Sequence, residues 1–452
     1  MHPISDFDQV DSSFMLKRVY TLTGALAGRG IAIIGALLLA LAIGRMVGAE
    51  GLGTFALCQA ALNILSVVGR AGFDRTVTRY VGGLPACEVV NRKRDISHAM
   101  RGIFLANIAL GGFAWLIAWL ALRGTRYASV LELWPIFCFL IPVYSLTMIF
   151  SGYFRGVKAP GTAALMEAGS ASFGAALMIG GLLLYGWPVS LFDIGLIFAA
   201  SSCLTLLGGF ILFRRSPGHQ VLSTSDYGIS SPDFRLEASL PFMLITLIPF
   251  LNQFVPLFAS GAILSPVEAG LFRVSERATL ILSGPLIIIS AILPPYILEL
   301  YRAGKLAQIR RLLIRISFLT APIGGLLLLL CIVARAEIVS LFGPEFRPAG
   351  DAFAIMALGQ FVNLATGAVG LTLMMIHQER WVRDVNGVLA IAGIILYPIA
   401  FTSGGLLGGA VIYSLLLLVQ GIILSVLVFA FTDASHSQEP QPQAMPDSGQ
   451  KE

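Results

Sequence analysis

The sequence is short of charge. Asp, Glu, Lys and Arg make up 12% of its 452 residues while 56% are hydrophobic, too little polar surface to clothe a soluble globule of this size. Cysteine is scarce, and Cys58, Cys87, Cys138, Cys203 and Cys331 show no paired spacing. Most lie in apolar runs, where they pack as small hydrophobes, so neither a disulfide framework nor a metal site is expected. Histidine is equally sparse and dispersed, with 5 in the chain. No serine elbow, Walker sequence or metal-ligand cluster occurs, so the reading is of no catalytic residue, no cofactor and no enzyme. Alternating strands of about ten residues, which a membrane barrel needs, are also missing.

What is present is a series of long apolar runs. A hydrocarbon core about 30 Å thick takes about 20 residues of helix to cross. Twelve runs qualify: 22–43, 52–72, 100–122, 131–151, 162–185, 190–213, 237–261, 270–299, 314–334, 350–376, 382–402 and 406–431. Of the 30 Lys and Arg, 21 fall in the terminal segments and the even-numbered loops, led by Arg92-Lys93-Arg94 and by Arg302, Lys305, Arg310, Arg311 and Arg315. The positive-inside rule then places both termini and all even loops in the cytoplasm. It also accounts for the net charge of +5 and leaves no case for nucleic-acid binding. The first run outlasts a signal peptide's apolar region and lacks a clear cleavage site, so it is expected to stay as span 1.

Two segments echo each other. Glu50-Gly51-Leu52-Gly53-Thr54-Phe55 between spans 1 and 2 reappears as Glu268-Ala269-Gly270-Leu271-Phe272 between spans 7 and 8, and Gly53 falls on Gly270 at an offset of 217 residues. A weaker pair joins Gly152-Tyr153-Phe154-Arg155-Gly156-Val157-Lys158 to His377-Gln378-Glu379-Arg380-Trp381. Six spans is an even number, so both halves enter from one side and are related by an axis along the membrane normal. The expected order is a cytoplasmic segment 1–21, an N-lobe 22–213, a cytoplasmic linker 214–236, a C-lobe 237–431 and a disordered cytoplasmic tail 432–452. Two all-helical, six-span lobes flanking a central cavity follow.

The run Gly44-Arg45-Met46-Val47-Gly48-Ala49-Glu50-Gly51-Leu52-Gly53-Thr54-Phe55, followed by Gly72-Phe73-Asp74-Arg75-Thr76-Val77-Thr78-Arg79-Tyr80, resembles the opening spans of the polysaccharide transporter family. These are Wzx-type flippases, within the superfamily that also holds the multidrug and toxic-compound extrusion transporters. The likeness continues through Leu240-Pro241, Val267 to Phe272, Pro294-Pro295 and Leu341-Phe342-Gly343-Pro344-Glu345-Phe346, and covers roughly residues 15–430. It implies the extrusion-transporter fold in a bacterial inner membrane. It further implies a flippase that carries a polyprenyl-diphosphate-linked oligosaccharide to the outer leaflet by alternating access, for exopolysaccharide, capsule or O-antigen synthesis. Membrane lipids, a polysaccharide polymerase and chain-length proteins are the implied partners. Many members carry an Asp late in span 7, where this chain reads Asn252-Gln253-Phe254-Val255-Pro256. A cation-coupled exporter of small organic compounds and a non-transporting scaffold of a synthesis complex are the alternative readings.

A diphosphate crossing a low-dielectric region needs donors, and the planar fork of arginine supplies two per phosphate. Arg29, seven residues into span 1, must face a cavity or snorkel, because an arginine facing lipid at depth costs at least about 2.5–3.5 kcal/mol. Arg70 near the end of span 2 has Asp74 four residues on as a partner. Arg273 and Arg277 are likewise four apart, at the start of span 8; Glu276 beside them is read as an ion-coupling acid or counter-ion, or as the partner of another helix. The candidates thus form a cytoplasmic-depth pair and a periplasmic-depth pair, two stations for the phosphate in a cationic cavity. Glu167 in span 5 is read as a proton site, a counter-ion for Arg29 or a neutral interhelical bond. Asn252, Gln253, Gln360 and Asn363 can meet sugar hydroxyls or bond between helices. Pro241, Pro249 and Pro256 in span 7, with Pro285, Pro294 and Pro295 in span 8, mark these spans as the ones that bend.

Overall fold

A computed structural model describes residues 12–82, 86–124, 128–216, 236–366 and 368–433. Residues 1–11, most of the expected linker and all but the start of the expected tail lie outside that set, as does the side chain of Arg29. The described residues contain helices and no strand. In chain order they are α1 (Ser12–Arg70), α2 (Phe73–Gly82), α3 (Ala86–Leu122), α4 (Ala128–Gly156), α5 (Pro160–Leu165), α6 (Ala168–Leu184), α7 (Leu191–Arg215), α8 (Leu236–Ile263) and α9 (Pro266–Ala278). Then follow α10 (Gly284–Arg302), α11 (Leu306–Val333), α12 (Arg335–Ser340), α13 (Gly350–Thr366), α14 (Ala368–Met375) and α15 (Glu379–Asp433), with 3-10 turns at Thr279–Ser283 and Pro344–Ala349.

Among the described residues 7 helices are long and apolar enough to cross a membrane, or up to 8 if the bent pair Pro344–Thr366 and Ala368–Met375 is one span. Two of them are too long for one crossing. Gly30–Arg70 and Glu379–Thr432, of 41 and 54 residues, would reach about 60 and 80 Å against a hydrocarbon core of about 30 Å. Each breaks at a glycine. Gly48 has φ 71 and ψ −169, and Gly405 has φ 54 and ψ −142, left-handed conformations that favour a residue without Cβ. Beyond Gly405 the chain folds back, bringing Leu416 against Gly393 and Gly409 against Phe401. Each long helix therefore holds two of the expected spans.

Besides the expected span 10, divided between α13 and α14, two spans are broken where the sequence suggested continuous helix. Span 5 divides between α5 and α6 at Glu167, whose ψ of 161 is extended. Span 8 divides between α9 and α10 at Thr279–Ser283, immediately before Gly284-Pro285. Span 7 stays one helix, α8, through Pro249 and Pro256. Of the two proline-rich spans only span 8 is interrupted, and the break lies on the N-terminal side of its prolines, where Pro285 can occupy the first turn of a new helix without losing a backbone bond.

Small residues set the packing. An added Cβ would stand 3.4 Å from Gly161 at Gly24, 2.3 Å from Ala164 Cβ at Gly28 and 2.7 Å from Phe173 Cβ at Gly35. The partners advance together, so the first half of α1 runs parallel to α5 and α6 with backbones in close approach, as glycine permits between membrane helices. Further along, a core gathers around Phe55, Phe137 and Phe198, whose ring centroids lie 5.3 to 5.8 Å apart.

The two halves cross where the echoed segments lie. A Cβ on Gly53 would stand 2.3 Å from the Pro266 carbonyl oxygen, and one on Gly270 would stand 2.0 Å from that of Ala49. Under the 217-residue offset, Gly53 maps to Gly270 and Ala49 to Pro266, so the two contacts are one contact seen from either side. This crossing lies at the face that the charge asymmetry assigns to the outside.

Candidate substrate cavity

Away from that crossing the halves enclose a cavity of about 540 Å³. Ala32 and Ile33 of α1 form one wall; α10, α13, α14 and both arms of α15 form the rest. At 1.5 Å per residue, Ala32 is about 24 Å along its helix from the Gly48 break and Asn363 about 20 Å from the start of α13. The cavity thus lies toward the face rich in Lys and Arg.

Its polar groups are amides and hydroxyls: Ser283, Ser290, Asn363, Thr366, Asn386 and Gln420. None of the described lining residues is charged. Asn386 organises the amides. Its backbone carbonyl accepts Asn252 Nδ2 at 3.0 Å, its side-chain oxygen accepts Gln420 Nε2 at 2.9 Å, and its own Nδ2 donates to the Val382 carbonyl at 2.7 Å. With those partners fixed, the amides present a set of donors and acceptors without moving. Gln360 is one layer further out, donating to Ser283.

A second, smaller hollow of about 60 Å³ inside the C-terminal half connects Asn252 and Gln420 to Tyr397 and Tyr413. Tyr413 shares a hydrogen bond with Thr279 and lies within electrostatic reach of Arg273, Glu276 and Arg277. A polar track therefore leads from α9 to the amide set.

The sequence-derived candidates separate on this geometry. Arg29 sits one helical turn before Ala32 and Ile33, and its side chain lies outside the described residues. Arg70 is buried, with Nε 3.4 Å from Asp74 Oδ1 and Nη1 donating to Ser66 Oγ at 3.3 Å. Arg273, only 2% exposed, donates to Glu276 Oε2 at 2.7 Å. Glu276 is thus a counter-ion within its own helix, through i,i+3 spacing, and not the partner of another helix. Arg277 is half-buried and adjoins this pair. Glu167 stands at the N-cap position of the broken α6 without a side-chain cap bond and pairs with Arg155, named in the sequence only within the echoed segment, and not with Arg29. Of the neighbouring amides, Asn252 reaches the cavity network and Gln253 is exposed.

Several residues here went unremarked in the sequence. Asn386, Gln420, Tyr397 and Tyr413 are single polar groups inside apolar runs, and only their convergence in space gives them weight. Glu345, noted in the sequence only as part of the Leu341 to Phe346 likeness, accepts the Ala49 N–H on its carboxylate from across the halves. Lys93 belongs to the basic triad of the second loop, yet its Nζ donates to the carbonyls of Phe213 and Ser216 at 2.9 and 3.0 Å, closing the end of α7. Burial takes its ammonium below the ordinary lysine value.

A family model described as a polysaccharide biosynthesis protein matches residues 17–301. The chain belongs to that family. No curated protein matches it in sequence. Solved structures bear on the fold. An inward-facing multidrug resistance MATE family transporter of the MOP superfamily aligns with TM-score 0.66 at 13% identity, covering 90% of this chain and 96% of that one. The lipid II flippase MurJ in an inward closed conformation gives 0.68 at 14%, covering 89% and 87%. A MOP superfamily transporter from Pyrococcus furiosus gives 0.59 at 11%, covering 93% and 96%. The chain is therefore a multi-pass membrane protein, helical throughout its described elements, with the fold that these transporters share.

Proposed function

We propose that the chain is a flippase that carries a polyprenyl-diphosphate-linked oligosaccharide across the bacterial inner membrane by alternating access between a six-span N-lobe and a six-span C-lobe, twelve spans in all. One observation carries the reading: a cavity whose polar lining among the described residues is amides and hydroxyls lies between the halves and is shut from the expected outer face by the Gly53 and Gly270 crossing. Neutral amides and hydroxyls both donate and accept, which is what sugar hydroxyls require. A polysaccharide biosynthesis family and a fold shared with a lipid flippase point together to a cargo that is both lipid and saccharide. The diphosphate falls to Arg277 at one end of the polar track and to Arg29, one turn from the cavity wall, at the other.

The test is turnover in vesicles. Purified chain reconstituted with a labelled polyprenyl-diphosphate oligosaccharide should expose the sugar to a membrane-impermeant glycosidase faster than empty vesicles do. Asn386→Leu should slow that exposure. Wild-type rates no higher than those of empty vesicles across several saccharides would end the proposal.

A further inference from the structure

A third hollow, of about 840 Å³, runs between α10 and α11 on the C-terminal half. Its walls change character along its length. Glu299, Gln308 and Arg311 line the stretch nearest the turn that joins the two helices; Ile289, Ile292, Leu293 and Ile316 line the far stretch, with Tyr296 and Arg315 between. The order is that of an amphiphile, polar at the membrane face and apolar toward its interior.

Arg311 and Arg315 are four residues apart, so they share one face of α11. Both are exposed, and neither has an ion pair or side-chain hydrogen bond among the described residues. Their neighbour Arg310 differs, lying over the Phe429 ring at 5.6 Å. The flank of α11 beyond the groove faces outward and is apolar, with Phe318 77% and Leu319 67% exposed. The groove therefore opens toward lipid.

We propose that this groove binds one anionic diacyl phospholipid, its phosphate held by Arg311 and Arg315 and an acyl chain laid along Ile289, Ile292, Leu293 and Ile316. Two positive side chains against the single carboxylate of Glu299 favour a headgroup with net negative charge. Glu299 and Gln308 can accept from the hydroxyls of a polyol headgroup. Guanidinium–phosphate bonds are charge-assisted and tolerate the interfacial setting better than neutral ones. The site is separate from the cavity between the halves and does not depend on the identity of the cargo.

Native mass spectrometry of the full chain tests it, with phosphatidylglycerol, phosphatidylethanolamine and phosphatidylcholine of matched chains, and polyprenyl phosphate, offered in equal amounts. The expected result is one phosphatidylglycerol retained per chain. Arg311→Ala with Arg315→Ala should lower retention about tenfold, the loss expected for two charge-assisted bonds partly replaced by solvent. Ile292→Trp should displace the lipid while leaving the charges in place. Arg214→Ala with Arg215→Ala, a matched exposed pair at the end of α7, should leave retention unchanged. The proposal is overturned by equal retention of the zwitterionic lipids, by preferential retention of polyprenyl phosphate, by an equal loss in the Arg214 and Arg215 variant, or by full retention in Ile292→Trp.

Discussion

The Glu345 carboxylate accepts the backbone N–H of Ala49 at 2.9 Å, joining the two halves at the first residue after the Gly48 break. Arg45 adds a second tie, with Nε donating to the Leu341 carbonyl at 2.7 Å. A helix start has unsatisfied N–H groups and a partial positive charge, so an acid there acts as a cap. Here the cap comes from the other half of the molecule. Glu345→Ala should weaken the outer closure several-fold, given about 1 kcal/mol for such a cap and tenfold per 1.4 kcal/mol. Cysteine accessibility on the outer side of α9 should rise, with Glu345→Asp intermediate; unchanged labelling in Glu345→Ala would show that the cap does not hold the closure.

The crossing of Gly53 and Gly270 makes a stronger prediction, because backbone oxygens rather than movable side chains occupy the space. A methyl group at either position would meet a carbonyl oxygen at 2.3 or 2.0 Å, far inside van der Waals contact. Gly53→Ala and Gly270→Ala should each push the halves apart at that end while the protein still folds, since every other contact of α1 and α9 within its own half is kept. Spin labels placed across the crossing should report a longer mean distance in both variants, and by similar amounts, because the two contacts are equivalent.

Lys93 offers a test away from the cavity. Its ammonium satisfies two carbonyls at the end of α7 and lies 5.2 Å from the centre of the Phe213 ring. Burial opposes its charge, so the bonds must outweigh desolvation for the arrangement to stand. Lys93→Met keeps the stem over Phe213 and drops both bonds, and should cost about 1–3 kcal/mol for the carbonyls left unmet. Thermal unfolding of the detergent-purified protein measures it. A melting temperature equal to wild type would mean that water replaces the ammonium at no cost.

Much of the fold was legible because hydropathy and charge asymmetry are properties of runs, and runs survive ignorance of the tertiary structure. The echo of Gly53 in Gly270 was legible for a different reason: close backbone approach tolerates few residue types, so the contact leaves a mark in sequence. Breaks inside spans were not legible. Glu167 interrupts span 5 where its carboxylate meets Arg155, and that partner lies on another helix. The pairing of Arg70 with Asp74 was legible in their four-residue spacing. Arg273 and Arg277 both flank Glu276, and only the structure shows that Arg273 is the one paired with it.

That distinction yields the sharpest test of the phosphate path. Arg70 is buried against Asp74, and removing one partner of a buried pair typically costs about 3–5 kcal/mol because the other charge is left without compensation. Arg70→Met should therefore lower expression and stability, and Arg70→Met combined with Asp74→Met should restore both, since replacing a buried pair by apolar side chains is often neutral. Restored stability with restored sugar exposure in vesicles would assign Arg70 to the scaffold. Arg277 should behave in the opposite way. It is half-buried beside a pair that is already complete, so Arg277→Met should leave the melting temperature within a few degrees of wild type while transport falls, and Arg277→Lys should recover only part of it, a point charge replacing a planar fork. If Arg277→Met transports normally, the diphosphate does not use this arginine and the outer station of the path is lost.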